Sequence, residues 1–489
     1  MIFIKTLISE ARCRDRRGGL CHKDVMSLAR KKFSRVVTEL KRRLGAKAVV
    51  TDPDRLAELG SDKWFAHHPP DVGVFPQTAE DVSAVMKVAA KYQVPVTTRG
   101  AGWGQVGSCV PMQGGIVLAT SAMNRILEIH QTDFVAVVQP GVITGVLQEA
   151  ARKKNLFYPP DPASLKDCSL GGNIATNAGG PRCLKYGVTR PYVLGLEVVL
   201  ANGDIVRCGG RTHKNKTGFD LVGLFTGSEG MLGVVTEATL RLLPLPPARA
   251  VVSAGFRTMA AATRAIRAVF AEGFLPAALE VADRFTLEAA RDFKPGAKFP
   301  PGHAHILIEI DGQAASVRSE VRALTKLLRD QKATAVEAAT TEAACEKLWD
   351  LRRAFSASLK ATGLRKLNED IVVPRGKLVA LMDFTRKLQQ RCGFPIACFG
   401  HAGDGNIHVN IMVGDYEDPA IRKRADAALN ELFAQVVAWD GAITGEHGIG
   451  LAKMPWWELA LSPANRALHA TIKQALDPQN ALNPGKFLS

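Results

Sequence analysis

The sequence predicts an α+β fold with two successive domains, and three observations lead to this prediction. Over residues 47–245, short β-rich runs mix with helical segments but lack the strict strand–helix–strand repetition of a doubly wound sheet. The proline-rich segment LPLPPARA at 243–250 then interrupts the chain. Beyond it, apolar strands alternate with long helices rich in Ala, Arg and Leu, which is typical of a second α+β domain.

Local patterns predict the elements of the first domain in order. KFSRVVTELKRRLG predicts an amphipathic helix, and a strand follows that ends near Phe75. Thr78 is a predicted N-cap for a helix that runs to about Tyr92, and VPVTTR is the next predicted strand. GIVLAT, ILEIH and FVAVVQPG are short β-rich runs, residues 141–155 have helical periodicity, and VLGLEVVLANGDIVRCGG predicts a hairpin with its turn at Asn202 and Gly203.

The second domain has longer elements. VVSAGF and HILIEIDG are predicted strands, and helices are predicted over about 258–272, 314–331 and 341–362. The chain has 489 residues, 46% hydrophobic and 22% charged, which is ordinary for a globular protein with two or three domains. No apolar run approaches the ~20 residues that span a bilayer. We therefore expect no transmembrane segment and a cytoplasmic location.

Charge is concentrated at the start of the chain. Of the formal net charge of +16, residues 1–50 contribute +10, with fourteen Lys and Arg against four Asp and Glu. A nucleic-acid-binding protein carries its basic surface on the folded domain, so this distribution excludes nucleic acid as a partner. We predict a basic N-terminal extension over 1–34. Attachment to the surface of the inner membrane, a targeting role for residues 1–25 and a translation start at Met26 stay open.

The nine cysteines include no CxxC pair, which excludes the usual zinc-ribbon and ferredoxin spacings within this chain. Electrons would therefore leave through a group other than an iron–sulfur cluster of its own.

A glycine-rich stretch, YPPDPASLKDCSLGGNIATNAGGPRCLKYGVTR at 158–190, is the strongest candidate for ligand binding. Glycines at this density let backbone N–H groups approach a ligand, and the small side chains leave room for a flat ring. It has no Walker sequence. GWGQVG at 102–107 fits the GxGxxG pattern, but Pro111 and further glycines follow where a Rossmann loop would begin a helix.

The order of five motifs resembles the FAD-binding domain of the vanillyl-alcohol oxidase type flavoproteins. These motifs are RGAG, PPDPAS, SLGGNIATNAGG, LKYG and FTGSEGMLGVVTEATLRLLP. Within that superfamily the chain is similar to the branch of the glycolate oxidase D-subunit and the D-lactate and D-2-hydroxyglutarate dehydrogenases, over roughly residues 45–489. The resemblance implies a PCMH-type FAD-binding domain of two subdomains over 35–246. It also implies a substrate-binding cap and C-terminal domain with an antiparallel sheet over 247–489.

The resemblance implies which residues contact FAD. These are Arg99, Gly100, Ala101, Gly102, Gly104, Gln105, Pro160, Asp161, Pro162, Ser164, Cys168, Ser169, Gly171, Gly172, Asn173, Ala175, Thr176, Asn177, Gly179, Gly180, Tyr186, Gly187, Glu229, Val234 and Asn483. Residues 99–109 contain no histidine of the kind that attaches flavin covalently in some relatives, so non-covalent FAD is expected. Trp103 and Cys109 stand where the family pattern has Thr and a further Gly, so we expect a different shape for the loop around the flavin pyrophosphate.

A second set of polar residues lies in CFGHAGDGNIHVNIM at 398–412 and ITGEHGIG at 443–450. Strand alternation places His408 and Asn410 on one face. Two imidazoles, His401 and His408, together with the Glu446 carboxylate make a plausible divalent-metal set with open coordination positions, which would leave His447 free as a proton acceptor. Other histidines, at 67, 68, 303 and 305, are expected to be ordinary structural residues.

The resemblance assigns roles to these and further residues. His401, His408 and Glu446 are the implied metal ligands, Asn410 contacts the substrate and His447 is the base. Arg352 is the implied partner of the substrate carboxylate, with Arg353 a second claimant. A basic residue before the EDIVVP strand belongs to the same pocket, and both Arg365 and Lys366 fit. Ser356 lies one helical turn beyond Arg352 and is a further candidate for the pocket.

The resemblance therefore implies an FAD-dependent oxidation of a small (R)-2-hydroxy acid to the 2-oxo acid, assisted by a divalent metal such as Zn, Mn or Fe. D-lactate, glycolate and a D-2-hydroxyglutarate-like diacid are the candidate substrates. The expected acceptor is a quinone, a cytochrome or an electron-transfer flavoprotein rather than NAD, and an iron–sulfur partner subunit is a further candidate. The alternatives are an alditol or aryl-ether oxidase, and a non-catalytic FAD-binding or assembly subunit of a multi-protein oxidase.

Overall fold

The computed structural model describes residues 22–488, with side chains described from residue 32 onward. The predicted extension over 1–34 therefore lies outside the described residues, apart from its last part. In the described range, the helices are α1 (His22–Leu44), α2 (Pro53–Leu59), α3 (Ala79–Tyr92), α4 (Thr144–Arg152), α5 (Leu170–Thr176), α6 (Cys183–Tyr186), α7 (Leu221–Phe225), α8 (Met259–Ala271), α9 (Arg284–Phe293), α10 (Ala314–Asp330), α11 (Glu342–Ala361), α12 (Leu378–Cys392), α13 (Pro419–Ala438), α14 (Trp457–Ala460) and α15 (Pro463–Leu476).

Eighteen strands are described between and around these helices. They are β1 (Val49–Val50), β2 (Val72–Val74), β3 (Val96–Arg99), β4 (Ile116–Ala119), β5 (Ile126–His130), β6 (Val135–Val138), β7 (Leu156–Phe157), β8 (Val193–Val199), β9 (Ile205–Gly209), β10 (Val234–Arg241), β11 (Leu243–Pro244), β12 (Ala248–Phe256), β13 (Ala278–Ala282), β14 (Ala304–Gly312), β15 (Ala335–Ala339), β16 (Arg365–Val372), β17 (Ile396–His401) and β18 (Asn406–Val413).

The first half of the chain builds two larger sheets of different type and a two-stranded antiparallel sheet of β7 and β11. A four-stranded mixed sheet has the order β1-β2-β4-β3, in which β2, β4 and β3 are parallel. A five-stranded antiparallel sheet has the order β5-β6-β10-β8-β9. Helix α3 begins as the sequence predicts, because Thr78 and Asp81 form a reciprocal capping box. The predicted α+β class, with two subdomains in its first part, is confirmed.

The second half is organised around one seven-stranded antiparallel sheet with the order β15-β12-β14-β13-β17-β18-β16. Strand alternation gives this sheet two different faces. One face is apolar and packs with α8, α10, α12 and α13 into the largest core cluster, to which Ile407, Val409 and Ile411 of β18 belong. The other face lies under α11 and carries polar side chains, so it is the face that can hold a site.

Two local results differ from the sequence-based expectations or extend them. The glycine-rich stretch contains a short helix, α5, that the sequence did not predict, because Gly171 and Gly172 in its first turn have poor helix propensity. The Ser169 side chain caps it by accepting a hydrogen bond from Gly172 N. Among the described helices, none is both long and apolar enough to cross a lipid bilayer.

Candidate active site

A cleft in the first half of the chain is lined by most of the residues predicted to contact FAD. Its walls come from the loop after β3, the segment around α5 and the loop before β10. The predicted residues in the lining are Gly100, Ala101, Gly102, Gly104, Gln105, Pro162, Ser164, Cys168, Ser169, Gly171, Gly172, Asn173, Ala175, Thr176, Gly179 and Glu229. Six of these are glycines, so a flat ring system and a pyrophosphate can approach the backbone closely. The walls therefore fit FAD.

The remaining predicted cofactor residues do not line this cleft. They are Arg99, Pro160, Asp161, Asn177, Gly180, Tyr186, Gly187, Val234 and Asn483. Asp161 Oδ2 accepts a hydrogen bond from Arg182 Nη1 at 2.6 Å. Asn483 Nδ2 donates to the carbonyl oxygens of Ser108 and Glu229, at 2.9 and 2.8 Å. These two side chains hold wall segments in place, and direct contact of the nine residues with the cofactor stays a prediction.

The lining also includes residues that no sequence motif indicated, among them Asp62 and Ser108. Asp62 Oδ2 accepts a hydrogen bond from Gly107 N at 2.8 Å. Burial raises the pKa of this carboxyl to about 6. The contact joins segments 45 residues apart in the chain, so sequence spacing gave no signal for it.

The polar face of the seven-stranded sheet brings the predicted metal residues together. His408 lies on β18 and His401 ends the adjacent strand β17. Glu446 follows α13 on a loop that reaches the same place, and His401 Nε2 is 3.0 Å from Glu446 Oε1. One ligand atom from each of these three residues lies within 4.8 Å of the other two. The distances allow all three to bind one ion.

The two carboxylates beside His401 favour a positive charge in this cluster. Burial alone would lower the pKa of His401, but the carboxylates of Glu280 and Glu446 raise it well above its usual range, so without a metal ion the ring is held protonated, and a bound cation would replace that proton. His408 is buried, which lowers its pKa well below the usual range, and its Nδ1 has no hydrogen-bond partner among the described residues. A neutral imidazole and a carboxylate are the forms that bind zinc, manganese or iron.

Glu280 on β13 is a site residue that sequence reasoning missed. Its Oε1 lies 2.6 Å from His401 Nδ1, and its Oε2 accepts a hydrogen bond from Arg352 Nε at 2.6 Å. The side chain is only 1% exposed. The available signal was a lone acid in the apolar strand ALEVA, because an acid at such a position requires buried partners.

Asp370 on β16 is the second missed residue. Its Oδ2 accepts hydrogen bonds from the backbone N–H groups of Gly445, Glu446 and His447 at 3.0, 2.8 and 3.0 Å. Its Oδ1 accepts from Asn406 Nδ2 at 2.7 Å. Burial would raise the pKa of Asp370, but His447, Lys453 and these N–H groups hold it well below its usual range. This carboxylate therefore fixes the loop that carries the candidate base.

The two neighbouring arginines of α11 have different surroundings. The Arg352 side chain is 11% exposed, packs over the Phe399 ring and leaves both Nη groups without a hydrogen bond in the described part of the chain. Arg353 is 50% exposed and pairs with Glu346 and Asp350 at the surface. Only Arg352 is oriented towards the cluster, so it is the stronger candidate for a substrate carboxylate.

Three more predicted substrate residues lie on or beside the polar face. Lys366 Nζ donates to Ser356 Oγ at 2.9 Å, and burial together with the charge of Lys360 lowers the pKa of Lys366 to about 8. Arg365 instead pairs with Glu417 at 3.1 Å. The Asn410 amide nitrogen donates to two backbone carbonyls, and its buried Oδ1 has no hydrogen-bond partner in the part of the chain that the structure describes. This oxygen can accept a hydrogen bond from a ligand.

The cleft and the cluster of His401, His408 and Glu446 meet. Glu446 and His447 line the cleft together with the glycine-rich stretch. A Cβ on Gly179 would lie 3.1 Å from Glu446 Cγ, so the two segments are in close contact. His447 is stacked on His408, with ring centroids 5.8 Å apart. A ligand of the cluster would therefore lie beside the glycine-lined cleft.

Comparisons with known proteins agree with this architecture. Residues 245–487 match the family model described as FAD linked oxidases, C-terminal domain, and residues 70–209 match the model described as FAD binding domain. The chain is 38% identical over 420 residues to the glycolate oxidase subunit GlcD of Bacillus subtilis, covering 86% of this chain and 89% of the relative. It is 33% identical over 425 residues to a D-lactate dehydrogenase of Anaerostipes hadrus, covering 86% of this chain and 89% of the relative.

Solved structures support the fold. The structure of p-cresol methylhydroxylase with substrate bound superimposes with a TM-score of 0.74 and 21% sequence identity, covering 94% of this chain and 97% of that chain. At that identity the match establishes a shared fold only.

Proposed function

The chain belongs to the family of FAD-linked oxidases, and on that premise we propose that it oxidises a small (R)-2-hydroxy acid to the 2-oxo acid at the metal cluster. One observation carries the proposal. The cluster of His401, His408 and Glu446 adjoins the FAD cleft, with His447 in the wall of the cleft and Arg352 on the helix above. Oxidation of a 2-hydroxy acid requires a partner for its carboxylate, a cation site and a base, all next to the flavin site.

The chain's own residues would bind and orient the substrate. Arg352 offers two free Nη groups, which can donate two parallel hydrogen bonds to the substrate carboxylate. Asn410 Oδ1 is available to accept a hydrogen bond from the C2 hydroxyl group. His447, whose backbone N–H is held by Asp370, is the proposed acceptor of the hydroxyl proton.

FAD and a divalent ion would supply the rest of the chemistry. FAD supplies the acceptor for the C2 hydride, which side chains cannot provide. A divalent ion such as Zn, Mn or Fe, held by His401, His408 and Glu446, supplies a Lewis acid that lowers the pKa of the substrate hydroxyl. The reduced protein would then pass its electrons to a quinone, a cytochrome or an electron-transfer flavoprotein, with an iron–sulfur subunit as a further candidate partner.

Lys366 favours a dicarboxylic substrate among the candidates. Its ammonium is largely buried, and no carboxylate pairs with it among the described residues. A buried cation without a counter-charge is costly, and a second substrate carboxylate would remove that cost. A D-2-hydroxy diacid is therefore the substrate that the pocket supports best, ahead of D-lactate and glycolate.

The alternative of a non-catalytic or assembly subunit has less support, because such a subunit would not need a complete set of metal ligands beside the cleft. An alditol or aryl-ether oxidase would not need the paired histidines.

The test is anaerobic mixing of the FAD-loaded protein with D-2-hydroxyglutarate, D-lactate and glycolate, followed by the visible absorption of flavin. We expect bleaching, fastest with the diacid. The L-enantiomers of 2-hydroxyglutarate and lactate serve as matched controls and should leave the flavin oxidised. Absence of bleaching by every 2-hydroxy acid in the metal-loaded protein would exclude the proposed activity.

A further inference from the structure

We propose that Glu280 is a positioning residue that serves both halves of the site. Its carboxylate would fix the tautomer of His401 for metal binding and the orientation of Arg352 for substrate binding. The inference rests on the proposed function, because these two roles refer to its metal and its substrate. With 1% exposure of the Glu280 side chain, water cannot replace either partner.

The sheet register explains why one carboxylate can reach both partners. β13 pairs antiparallel with β17 through Val281 with Gly400 and Ala282 with Phe399. The next position along this ladder brings Glu280 opposite His401 on the polar face. Arg352 reaches the same carboxylate from α11, which packs over that face. Glu280 therefore lies between His401, a candidate metal ligand on a strand, and Arg352, a cationic residue on a helix.

The contacts of Glu280 with His401 and Arg352 require a hydrogen-bond acceptor on each side of the Glu280 side chain. If Nδ1 of His401 carries the proton and donates to Glu280 Oε1, the lone pair of Nε2 faces Glu446 and the cluster. Arg352 uses only Nε for Glu280 Oε2, which keeps the two Nη groups available for a substrate carboxylate. A carboxylate accepts on both oxygens, whereas an amide of equal length accepts on one side and donates on the other.

Glu280→Gln must therefore disturb one partner. If the new amide nitrogen faces His401, it donates to Nδ1 and leaves the ring proton on Nε2, where it blocks the metal. If it faces Arg352, two donors oppose each other and the guanidinium moves. The first arrangement weakens metal binding, and the second weakens binding of a substrate carboxylate. Both effects can be measured without turnover.

The experiment uses the full FAD-loaded chain after removal of metal with a chelator. The affinity for Zn²⁺ is measured by competition with a chromogenic chelator, and the affinity for pyruvate without metal is measured from the change in flavin absorption. We expect E280Q to weaken at least one of the two affinities by roughly 10–100-fold, the range typical for loss of a partner that orients a metal-bound histidine. E280D has a shorter side chain that cannot reach both partners, so it should also weaken at least one of the two affinities.

Glu39→Gln is the matched control. Glu39 lies on α1 in the first half of the chain, its side chain is 10% exposed, and it pairs with Arg43 and Lys91 at 2.9 and 2.7 Å. E39Q should leave both affinities unchanged. Wild-type affinities for Zn²⁺ and pyruvate in both E280Q and E280D, or equal losses in E39Q, would overturn the proposal. If E280Q weakens Zn²⁺ binding but no 2-hydroxy acid bleaches the wild-type flavin, the role of Glu280 stands and the proposed substrate class falls.

Discussion

The Asp370→Asn substitution should release the loop that carries Glu446 and His447. The wild-type carboxylate accepts three backbone hydrogen bonds on one oxygen and is 0% exposed. A hydrogen bond to a charged acceptor contributes about 1.5–3 kcal/mol and a neutral one about 0.5–1.5 kcal/mol, so each of the three weakens by about 1 kcal/mol. The new amide would also face the Asn406 Nδ2 donor. The loss for the loop is therefore about 3 kcal/mol.

Hydrogen exchange measures this loss directly. Since a change of 1.4 kcal/mol is a factor of ten, the amides of residues 445–447 should exchange roughly 100-fold faster in D370N. The readout is mass spectrometry of a peptide that covers the loop. Asp283→Asn is the control, because Asp283 is a partly buried acid of this half that accepts hydrogen bonds from the backbone N–H groups of Thr286 and Cys398. Unchanged exchange of residues 445–447 in D370N would refute the reasoning.

The pH dependence of the wild-type protein gives a second check on the same group. The folded-state pKa of Asp370 lies well below that of an ordinary aspartate, so the carboxylate stabilises the folded loop at every pH above about 4. That contribution is lost only as the pH falls towards the folded-state pKa. After correction for intrinsic rates, protection of residues 445–447 should be constant between about pH 5 and 8. A loss of protection within this window would contradict the assigned charge state.

Three further predictions concern the cluster and the pocket. His447→Asn should abolish reduction of bound FAD by the substrate while FAD stays bound, and undiminished bleaching in a stopped-flow experiment would refute its role as base. His401→Ala should lower Zn²⁺ affinity at least tenfold without loss of FAD, measured by metal analysis after dialysis against a fixed free Zn²⁺ concentration. Lys366→Met should raise the KM for a D-2-hydroxy diacid at least tenfold and that for D-lactate much less, with Arg365→Met as control, because the partly exposed Arg365 pairs with Glu417 instead. Because the pKa of Lys366 is lowered to about 8, wild-type affinity for the diacid should fall as the pH rises through 8, and an unchanged KM up to pH 9.5 would exclude a charged contact.

The sequence predicted those parts of the molecule that depend on local pattern. Alternation along NIHVNIM placed His408 on the face opposite to Ile407, and the Thr78 cap marked the start of α3. The motifs also indicated the walls of the cleft. The short helix α5 was missed because its two glycines oppose helix formation, and tertiary contacts of Leu170 and Ile174 in the core compensate.

The sequence alone could not predict the residues that act through long-range contacts. Glu280 is 72 residues from Arg352 and 121 from His401 in the chain. The register of β13 with β17 brings Glu280 to His401, and the packing of α11 over the sheet brings Arg352 to Glu280. Asp370 lies within a segment that was noted for the basic residue before it, while the backbone N–H groups that it binds are 75 to 77 residues away. A buried acid in an apolar strand is visible in a sequence, but its partners are set by topology.

The loop at 444–450 shows why the site needs both halves of the chain. Its first peptide N–H groups are bound by Asp370 from the seven-stranded sheet, and its last two, of Ile449 and Gly450, donate to the buried carboxylate of Glu229 from the cleft wall. Two buried carboxylates, one from each half of the chain, thus hold the peptide groups on either side of Gly448 in one short segment. Because Glu446 and His447 lie between these two anchors, the proposed metal ligand and base are fixed relative to the cofactor cleft and to the sheet at the same time. A shift of either half by 1 Å would move the base relative to the flavin, and misplacement of that order is enough to lower a rate about 100-fold.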